Sequence, residues 1–429
     1  MTFHPNRPPT TDRQAVDQLK LRRLNALLAE ILPANRFYAD RFAGRPQTLS
    51  ALADLADLPF TTKADLVEGF GPGGMINRTW PPERYVRFHQ TSGSQGRPLP
   101  VWDTAADWRW WMDCWGTIYE RAGLQPGDGV FVAASFGPYI GFWSGFDAAV
   151  AAGGRAIPAG GLSTIARLQL LQSTGARLLL ATPSYALRLA EVAVETGVDP
   201  AATAVRCVIV AGEPGGSTPA VRERIATVWR AAVLDHAGAT EIGPWGVGCL
   251  GGPGLQVIED WFHPEFLAID SGRPAAAGEL AELVLTTLGR AGCPVIRYRT
   301  GDIVRPRWPT AADLESGGTA WVWLDGGILG RADDMLVIRG VNVFPSAIDN
   351  IVRSFPEVVE YQLSVSREGS LDSLALAIED HLDQPERVAR ELHVRLGLRV
   401  TVTVVPPGSL PRFEGKARRV IDNRNATTR

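Results

Sequence analysis

Residues 89–98 read His-Gln-Thr-Ser-Gly-Ser-Gln-Gly-Arg-Pro, and hydroxyls and glycines at this density can present several N–H and O–H donors to phosphate oxygens. It is not a Walker loop, in which the glycines lead into Lys-Ser/Thr and a helix; here Pro98 and the alternating Leu99–Trp102 predict a hairpin. An ordinary polar hairpin turn is the plainer reading. A second run, Ala211-Gly212-Glu213-Pro214-Gly215-Gly216-Ser217, follows the apolar stretch Cys207–Val210. Glycine-rich turns at the carboxyl end of a parallel strand are where open α/β sheets bind nucleotides, although a plain turn capped by Ser217 or Thr218 has the same composition. In Asp235-His236-Ala237-Gly238-Ala239-Thr240-Glu241 a hydroxyl and a carboxylate end another apolar run, a pair suited to Mg²⁺ beside a triphosphate. His236 by itself is more often structural than a base.

Two further groups are charged. In Arg297-Tyr298-Arg299-Thr300-Gly301-Asp302, the last carboxylate is a natural acceptor for two ribose hydroxyls. Arg331, in Gly330-Arg331-Ala332-Asp333-Asp334, could add a charge-assisted contact. A surface ion-pair cluster is the competing reading. Lys416 sits in Gly408-Ser409-Leu410-Pro411-Arg412-Phe413-Glu414-Gly415-Lys416, where it gains a role only if the fold brings it to a phosphate. Finally, residues 135–145 interleave Phe136, Tyr139, Phe142 and Trp143 with Gly137, Gly141 and Gly145. Phe142 and Trp143 read as core. Phe136, Gly137 and Tyr139 read as a loop at a strand end, where the wall of an apolar slot for a flat aryl group would lie.

These groups need elements to hold them. A helical pattern runs from Arg13 to Leu32, and Thr62 with Asp65 opens another helix after Pro59. Apolar runs at Gly129–Ala134, Arg177–Ala181, Arg206–Val210 and Ala231–Leu234 alternate with helix-like Ser163–Ser173 and Pro183–Glu195. That alternation predicts α/β layers with mainly parallel sheets. Beyond Gly278, the stretches Glu282–Thr287, Val295–Arg299 and Trp321–Leu324 read as strands without helices between them, a β-rich subdomain. After Gly330 the chain reads hairpin (Met335–Val343), helix (Pro345–Ser354), two strands, helix (Pro385–Leu396) and strand (Val400–Val405). This is a small α+β unit of about a hundred residues, with Arg331–Asp334 as the joint. The expected division is therefore 1–331 and 332–429.

With 429 residues, two or more domains are expected. A formal net charge of −3 gives no footprint for nucleic acid, and there is no polybasic run to hold a membrane. The longest apolar stretch, Val130–Trp143, is broken by Gly137, Pro138 and Gly141, short of the roughly 18 apolar residues of a span. The opening MTFHPNRPPTTDRQ does not read as a secretory signal. Cys114, Cys207, Cys249 and Cys293 are scattered, which points to a reducing cytoplasm rather than a disulfide framework.

In this order the motifs resemble the adenylate-forming superfamily of acyl-CoA ligases, firefly luciferase and peptide-synthetase adenylation domains. Pro59-Phe60-Thr61-Thr62-Lys63, Thr182-Pro183-Ser184-Tyr185, Ile296–Asp302 and Leu410-Pro411-Arg412 with Glu414-Gly415-Lys416-Ala417 are most similar to the phenylacetate–CoA ligase branch, and the resemblance runs from Pro59 to Asp422. It implies that Thr91, Ser92, Gly93, Ser94, Gln95 and Gly96 bind the phosphates of ATP. Gly212, Glu213, Pro214, Asp235, His236 and Ala237 would line the adenine. Glu241, with Thr240, would reach Mg²⁺, Asp302 the ribose, and Arg331 the nucleotide. Asp333 would be the hinge, and Lys416 would bridge the carboxylate and the α-phosphate during adenylation. Phe136, Gly137 and Tyr139 would contact an aromatic acid. Coenzyme A is the implied acceptor, with an amine or a carrier-protein thiol as the other options and catalytic loss as a remote one. A homodimer is left open. The chain departs from the family at Arg97, where lysine is usual, and at Ala237, where a tyrosine commonly stacks on adenine. Cys249, His263 and Cys293 stand where some relatives hold a structural metal, but Gln256 replaces an expected histidine.

Overall fold

The computed structural model describes residues 11–68, 76–91, 98–315, 318–338, 341–368, 371–413 and 419–424. Asp12 starts helix α1 (Arg13–Ile31) by accepting from the Gln14 amide at 2.8 Å. The helix buries Val16, Leu24, Leu27, Leu28 and Ile31 in the main core. It is fastened by ions as well: Glu259, fully buried, takes Lys20 at 2.5 Å and Arg13 at 2.6 Å. After α2 (Arg36–Arg41), the expected cap at Thr62 forms. Its amide donates to Asp65 Oδ2 at 2.7 Å, and Asp65 N donates back to Thr62 Oγ1 at 3.2 Å, opening α3 (Lys63–Glu68).

The hairpin read from Leu99–Trp102 is present as β1 (Tyr85–Gln90) and β2 (Pro100–Thr104), with Gln90 opposite Pro100. A capping box between Thr104 and Asp107 turns it into α4 (Ala105–Arg121), which buries Trp108, Trp110, Trp111 and Trp115. Then come β3 (Gly129–Val132), α5 (Ile140–Ala151), β4 (Arg155–Pro158), α6 (Thr164–Thr174), β5 (Leu178–Ala181), α7 (Pro183–Glu195), β6 (Cys207–Val210), α8 (Pro219–Trp229) and β7 (Ala232–Ala239). The five strands are parallel in the order β4-β3-β5-β6-β7. Alternate residues face opposite ways, as the strand pleat requires. Val132, Leu180, Ile209 and Leu234 meet α4 and α5, whereas Phe131, Leu179, Val208 and Val233 meet α6, α7 and α8.

The same sheet continues with antiparallel β8 (Gly243–Cys249) and β9 (Gly252–Val257), then β14 (Trp323–Leu324) and β13 (Pro306–Arg307). The nine-stranded sheet is thus parallel in one half only. The apolar-run signal cannot separate the halves, because both are covered on both faces. A second, antiparallel sheet orders β10 (Phe262–Ala268), β11 (Ala281–Thr287), β12 (Tyr298–Val304) and β15 (Gly330–Arg331), and the short α9 (Ala311–Glu315) lies in the connection between β13 and β14.

The last unit holds β16 (Leu336–Ile338), β17 (Val341–Val343), α10 (Pro345–Val352), β18 (Val358–Glu368), β19 (Leu371–Asp380), α11 (Pro385–Leu396), β20 (Thr401–Val404) and β21 (Val420–Asp422). Its four-stranded sheet runs β20-β19-β18-β21 around a core of its own, including Ile348, Leu363, Leu376 and Leu392.

Two sequence expectations need correcting. Val295–Arg299 does not begin a strand; β12 starts at Tyr298 because Arg297 takes a left-handed backbone, φ 50°. Its side chain turns inward, pairs with Glu265 at 2.7 Å, donates to Ala56 O at 2.8 Å and lies 4.0 Å over the Phe60 ring. Arg297 is therefore a buried staple and not part of a surface cluster. β21, which pairs in parallel with β18, was not foreseen, since three exposed residues leave no apolar period to read.

Candidate active site

The parallel strands deliver their carboxyl ends to one edge of the sheet, and most of the candidate residues lie there. Beyond β6, Gly212 has φ 91° and Gly215 has φ 154°, conformations that only glycine enters without strain. Gly216 packs so closely on Asp235 that a Cβ would stand 2.3 Å from its Oδ1. Glu213 turns its carboxylate to the first turn of α7, accepting from Ser184 N at 2.7 Å. Neither Ser217 nor Thr218 caps α8 through its side chain. The Ser217 hydroxyl donates to Asp235 instead, and the Thr218 hydroxyl donates to Asn350 on α10 at 2.7 Å.

On β7, burial pushes the Asp235 carboxyl up to about 6 and the His236 imidazole down to about 4, since each loses the water that stabilises its charged form. His236 Nδ1 faces Gly246 O at 2.8 Å, and the ring lies 4.5 Å from Trp115. Ala237 is buried opposite Gly246, where a Cβ would stand 2.9 Å from its own.

Thr240 and Glu241 form the turn between β7 and β8. Their carbonyls accept from the Arg290 guanidinium at 3.2 and 3.0 Å. Arg290 is wholly buried and paired with Asp103 of β2 at 2.7 Å. One ion pair therefore joins the turn bearing Glu241 to the hairpin beside the phosphate-loop candidate. Burial raises the Asp103 carboxyl to about 6 although Arg290 opposes it. The Glu241 carboxylate is oriented by the Tyr298 hydroxyl, which donates to Oε1 at 2.9 Å.

Four residues beyond Tyr298, Asp302 stands opposite Arg331 across β12 and β15 and accepts from its Nη1 at 3.1 Å. Burial lifts Asp302 to about 6, Arg331 working the other way. Arg331 also donates to Asp333 at 3.0 Å and to Thr300 O at 3.3 Å. Asp333 lies in the single 3₁₀ turn Ala332–Asp334 between the two units.

Phe136, Gly137 and Tyr139 occupy the loop from β3 to α5. The Phe136 ring meets Trp143 edge-on at 4.7 Å and Phe146 at 5.5 Å, while Tyr139 is half exposed. Trp143, read as core, is only partly buried, and its indole N–H donates to Gly137 O at 2.8 Å, holding the loop. Thr91 closes the β1–β2 hairpin, its hydroxyl accepting from Leu99 N at 2.9 Å. Ser92–Arg97, and Glu414–Arg418 with Lys416, lie outside the described residues.

Among the described residues, no three histidines, cysteines or carboxylates are grouped to hold a metal ion. Gln256 is engaged by Arg121 and Thr319, each at 3.1 Å. The Glu241 side does fit a hard cation, being an oxygen donor set with one carboxylate oxygen not taken by Tyr298. Sequence reasoning missed Arg290 as a site residue, because a single arginine in Gly289-Arg290-Ala291 carries no signal of its burial. Tyr298 was legible only as part of its motif. The contacts to Asn350 and from Arg419 to Ser184 Oγ, 3.1 Å, had no local signal.

Residues 340–424 match the AMP-binding enzyme C-terminal domain family. The chain is 34% identical to a phenylacetate-coenzyme A ligase of Pseudomonas putida, over 97% of this chain and 96% of that one. Among solved structures, 2-hydroxyisobutyryl-CoA ligase in the postadenylation state with 2-HIB-AMP superposes with a TM-score of 0.90 at 30% identity, covering 97% of this chain and 92% of that one. The same enzyme with 2-HIB-AMP and CoA in the thioesterification state gives 0.72 at the same identity and coverage.

Proposed function

Since the chain belongs to the phenylacetate-coenzyme A ligase family, we propose that it activates an aromatic carboxylic acid with ATP and passes the acyl group to coenzyme A. The acid's carboxylate attacks the α-phosphate, pyrophosphate leaves, and an acyl-adenylate forms. The coenzyme A thiol then attacks the acyl carbon and expels AMP. The observation that carries this reading is the convergence of Glu241, at the end of β7, with Tyr298, Asp302 and Arg331 of the second sheet.

Asp302 takes the ribose hydroxyls and Arg331 the nucleotide. The peptide edge of Gly212–Pro214 and the Ala237 side of β7 wall the adenine. Bound at Glu241, Mg²⁺ would supply positive charge to the phosphates. Thr91 with Ser92–Gly96 is the phosphate loop, and Lys416 meets the charge that develops when carboxylate and phosphate approach. Residues 1–331 form the nucleotide-binding unit and 332–429 the unit that brings Lys416, turning about Asp333. The better superposition on the postadenylation state supports reading the present arrangement as the one for the first half-reaction. Among the described residues no helix is long and apolar enough to cross a membrane, and the free cysteines suit a reducing cytoplasm.

The aryl preference rests on Phe136 and its partners Trp143 and Phe146 at the end of β3. Ring–ring contacts are worth about 0.5–1.5 kcal/mol each beyond area burial. Pyrophosphate release, with coenzyme A present, over benzoate, phenylacetate and straight-chain acids of similar size tests it. Aryl acids should lead by at least about tenfold in kcat/KM. Phe136→Ala should harm the aryl acid more than acetate. Fatty acids as best substrates would remove the aryl assignment.

A further inference from the structure

Helices α7 and α8 of the first unit form one wall of a cleft, and the end of α10 with β18 of the second unit forms the other. The cleft has a volume of about 40 Å³. That is room for roughly three waters, and so for one tetrahedral oxyanion. Arg188, Arg224, Arg353, Arg412 and Arg419 line it, against the carboxylates of Glu191 and Glu360. None of the residues assigned above to ATP, the acid or the hinge lines it.

Three of these arginines are well matched. Arg419 pairs with Glu360 at 2.6 Å, Arg412 with Glu379 at 2.5 Å, and Arg188 reaches Glu191 and Glu195, each at 3.3 Å. Arg224 and Arg353 are not. Among the described residues Arg224 makes no hydrogen bond, and its ion pair with Glu191 spans 3.7 Å. Arg353, with only 10% of its side chain exposed, stands 3.5 Å from Glu360 and 3.6 Å from Asp349 and donates to Val359 O at 3.4 Å. A guanidinium carries five N–H donors, and burying them without close acceptors is costly. The two cations also lie near enough to repel: burial first, then the Arg353 charge, depresses Arg224, with Glu191 opposing. The carboxylates at hand are already shared, Glu360 with Arg419 and Glu191 with Arg188. Like charges brought together from two units call for a further counter-charge.

We propose that this cleft binds a free oxyanion of the phosphate class between Arg224 of the first unit and Arg353 of the second, and that its occupancy holds the units in the present arrangement. The planar fork of each guanidinium matches two oxygens of such an anion. An anion that needs both walls binds this arrangement better than one in which the second unit has turned away, and so shifts the population toward it. The consequence for turnover rests on the two-arrangement reading above: the bound anion favours acyl-adenylate formation and slows thioester formation.

Inorganic phosphate is the probe, titrated by calorimetry into the full chain with AMP at saturation to fill the nucleotide site. One phosphate per chain should bind, and more weakly as potassium chloride is raised. Arg224→Met and Arg353→Gln should each weaken it about tenfold or more, and Arg224→Lys, which keeps the charge without the fork, should fall between. With preformed acyl-adenylate and coenzyme A, saturating phosphate should slow thioester formation about fivefold in the wild type and leave Arg224→Met unaffected. No phosphate binding to the AMP-loaded wild type, or equal affinity in Arg224→Met, would overturn the site. Unchanged or faster thioester formation at saturating phosphate would overturn the clamp. Displacement of phosphate by coenzyme A and not by dephospho-coenzyme A would give the cleft to the acceptor's own phosphate and overturn the free-anion assignment. If Arg224→Met fails to fold, the wild-type titration and Arg224→Lys still decide. No thioester from any acid, with phosphate binding intact, would instead be the failure of the acid-activating reading itself.

Discussion

Asp302 shows how far a single residue could be read from sequence. Its type and its motif pointed to ribose, and the structure adds that it lies within β12, where burial lifts its carboxyl from 3.8 to about 6 with Arg331 opposing. Below about 6 the group is protonated and loses acceptor capacity. Adenosine, which has no phosphate to titrate, should therefore bind about tenfold more weakly per pH unit below that point, and evenly above it. Calorimetry on wild type and Asp302→Asn checks this: a flat wild-type profile would take Asp302 out of the ribose site. For folding the sign is the reverse of the usual carboxylate. A raised value means the native state holds a proton the unfolded chain has lost, so Asp302 lowers stability as pH rises from about 4 to about 6. Asp103 and Asp235, also lifted to about 6, act in the same sense. Lys416 is the other residue named by its motif. Lys416→Ala should slow adenylation on the order of 10²–10³-fold and spare thioester formation from supplied acyl-adenylate, and equal damage to both steps would sink the assignment. Arg297 was the failure at this scale, since nothing in a run of charges reveals which arginine bends inward.

At the scale of elements, the capping signals and apolar runs located helices and parallel strands to within a few residues, because those patterns are the cause of the structure. What they could not show is how separate elements are joined at the site. Asp103 on β2 and Arg290 beyond β11 are far apart in sequence, and their pairing fixes the turn that carries Glu241 through its carbonyls. Arg290→Met would leave Asp103 buried without its partner, a loss of about 3–5 kcal/mol in denaturant unfolding. Replacing both, Asp103→Leu with Arg290→Met, should recover most of that stability, since the uncompensated charge is gone. The double variant should still respond poorly to Mg²⁺ in ATP-binding calorimetry, because the Glu241 turn has lost its anchor. Normal magnesium dependence in the double variant would show that Arg290 serves the fold alone.

Across the whole molecule, the change of texture after Gly330 reads as the start of a second unit, and Ile348 and Leu376 belong to a buried cluster distinct from the main core. How that unit rests on the first was illegible, because it depends on single polar contacts: Thr218 to Asn350, Ser346 to Leu329 O, and Arg419 to Ser184. Asn350→Ala should slow pyrophosphate exchange about two- to tenfold, the worth of one hydrogen bond, and leave thioester formation from preformed acyl-adenylate unchanged or faster. Slower thioester formation would mean Asn350 serves the other arrangement. Among the described residues, these three bonds also bear on how large a share of the molecules is open. At about 1 kcal/mol net apiece they hold the cleft shut by about 3 kcal/mol. A clasp of that strength lies open on the order of 1% of the time. Among the described residues, the share of time the molecule spends released, with no external force, thus answers to three hydroxyl and guanidinium contacts.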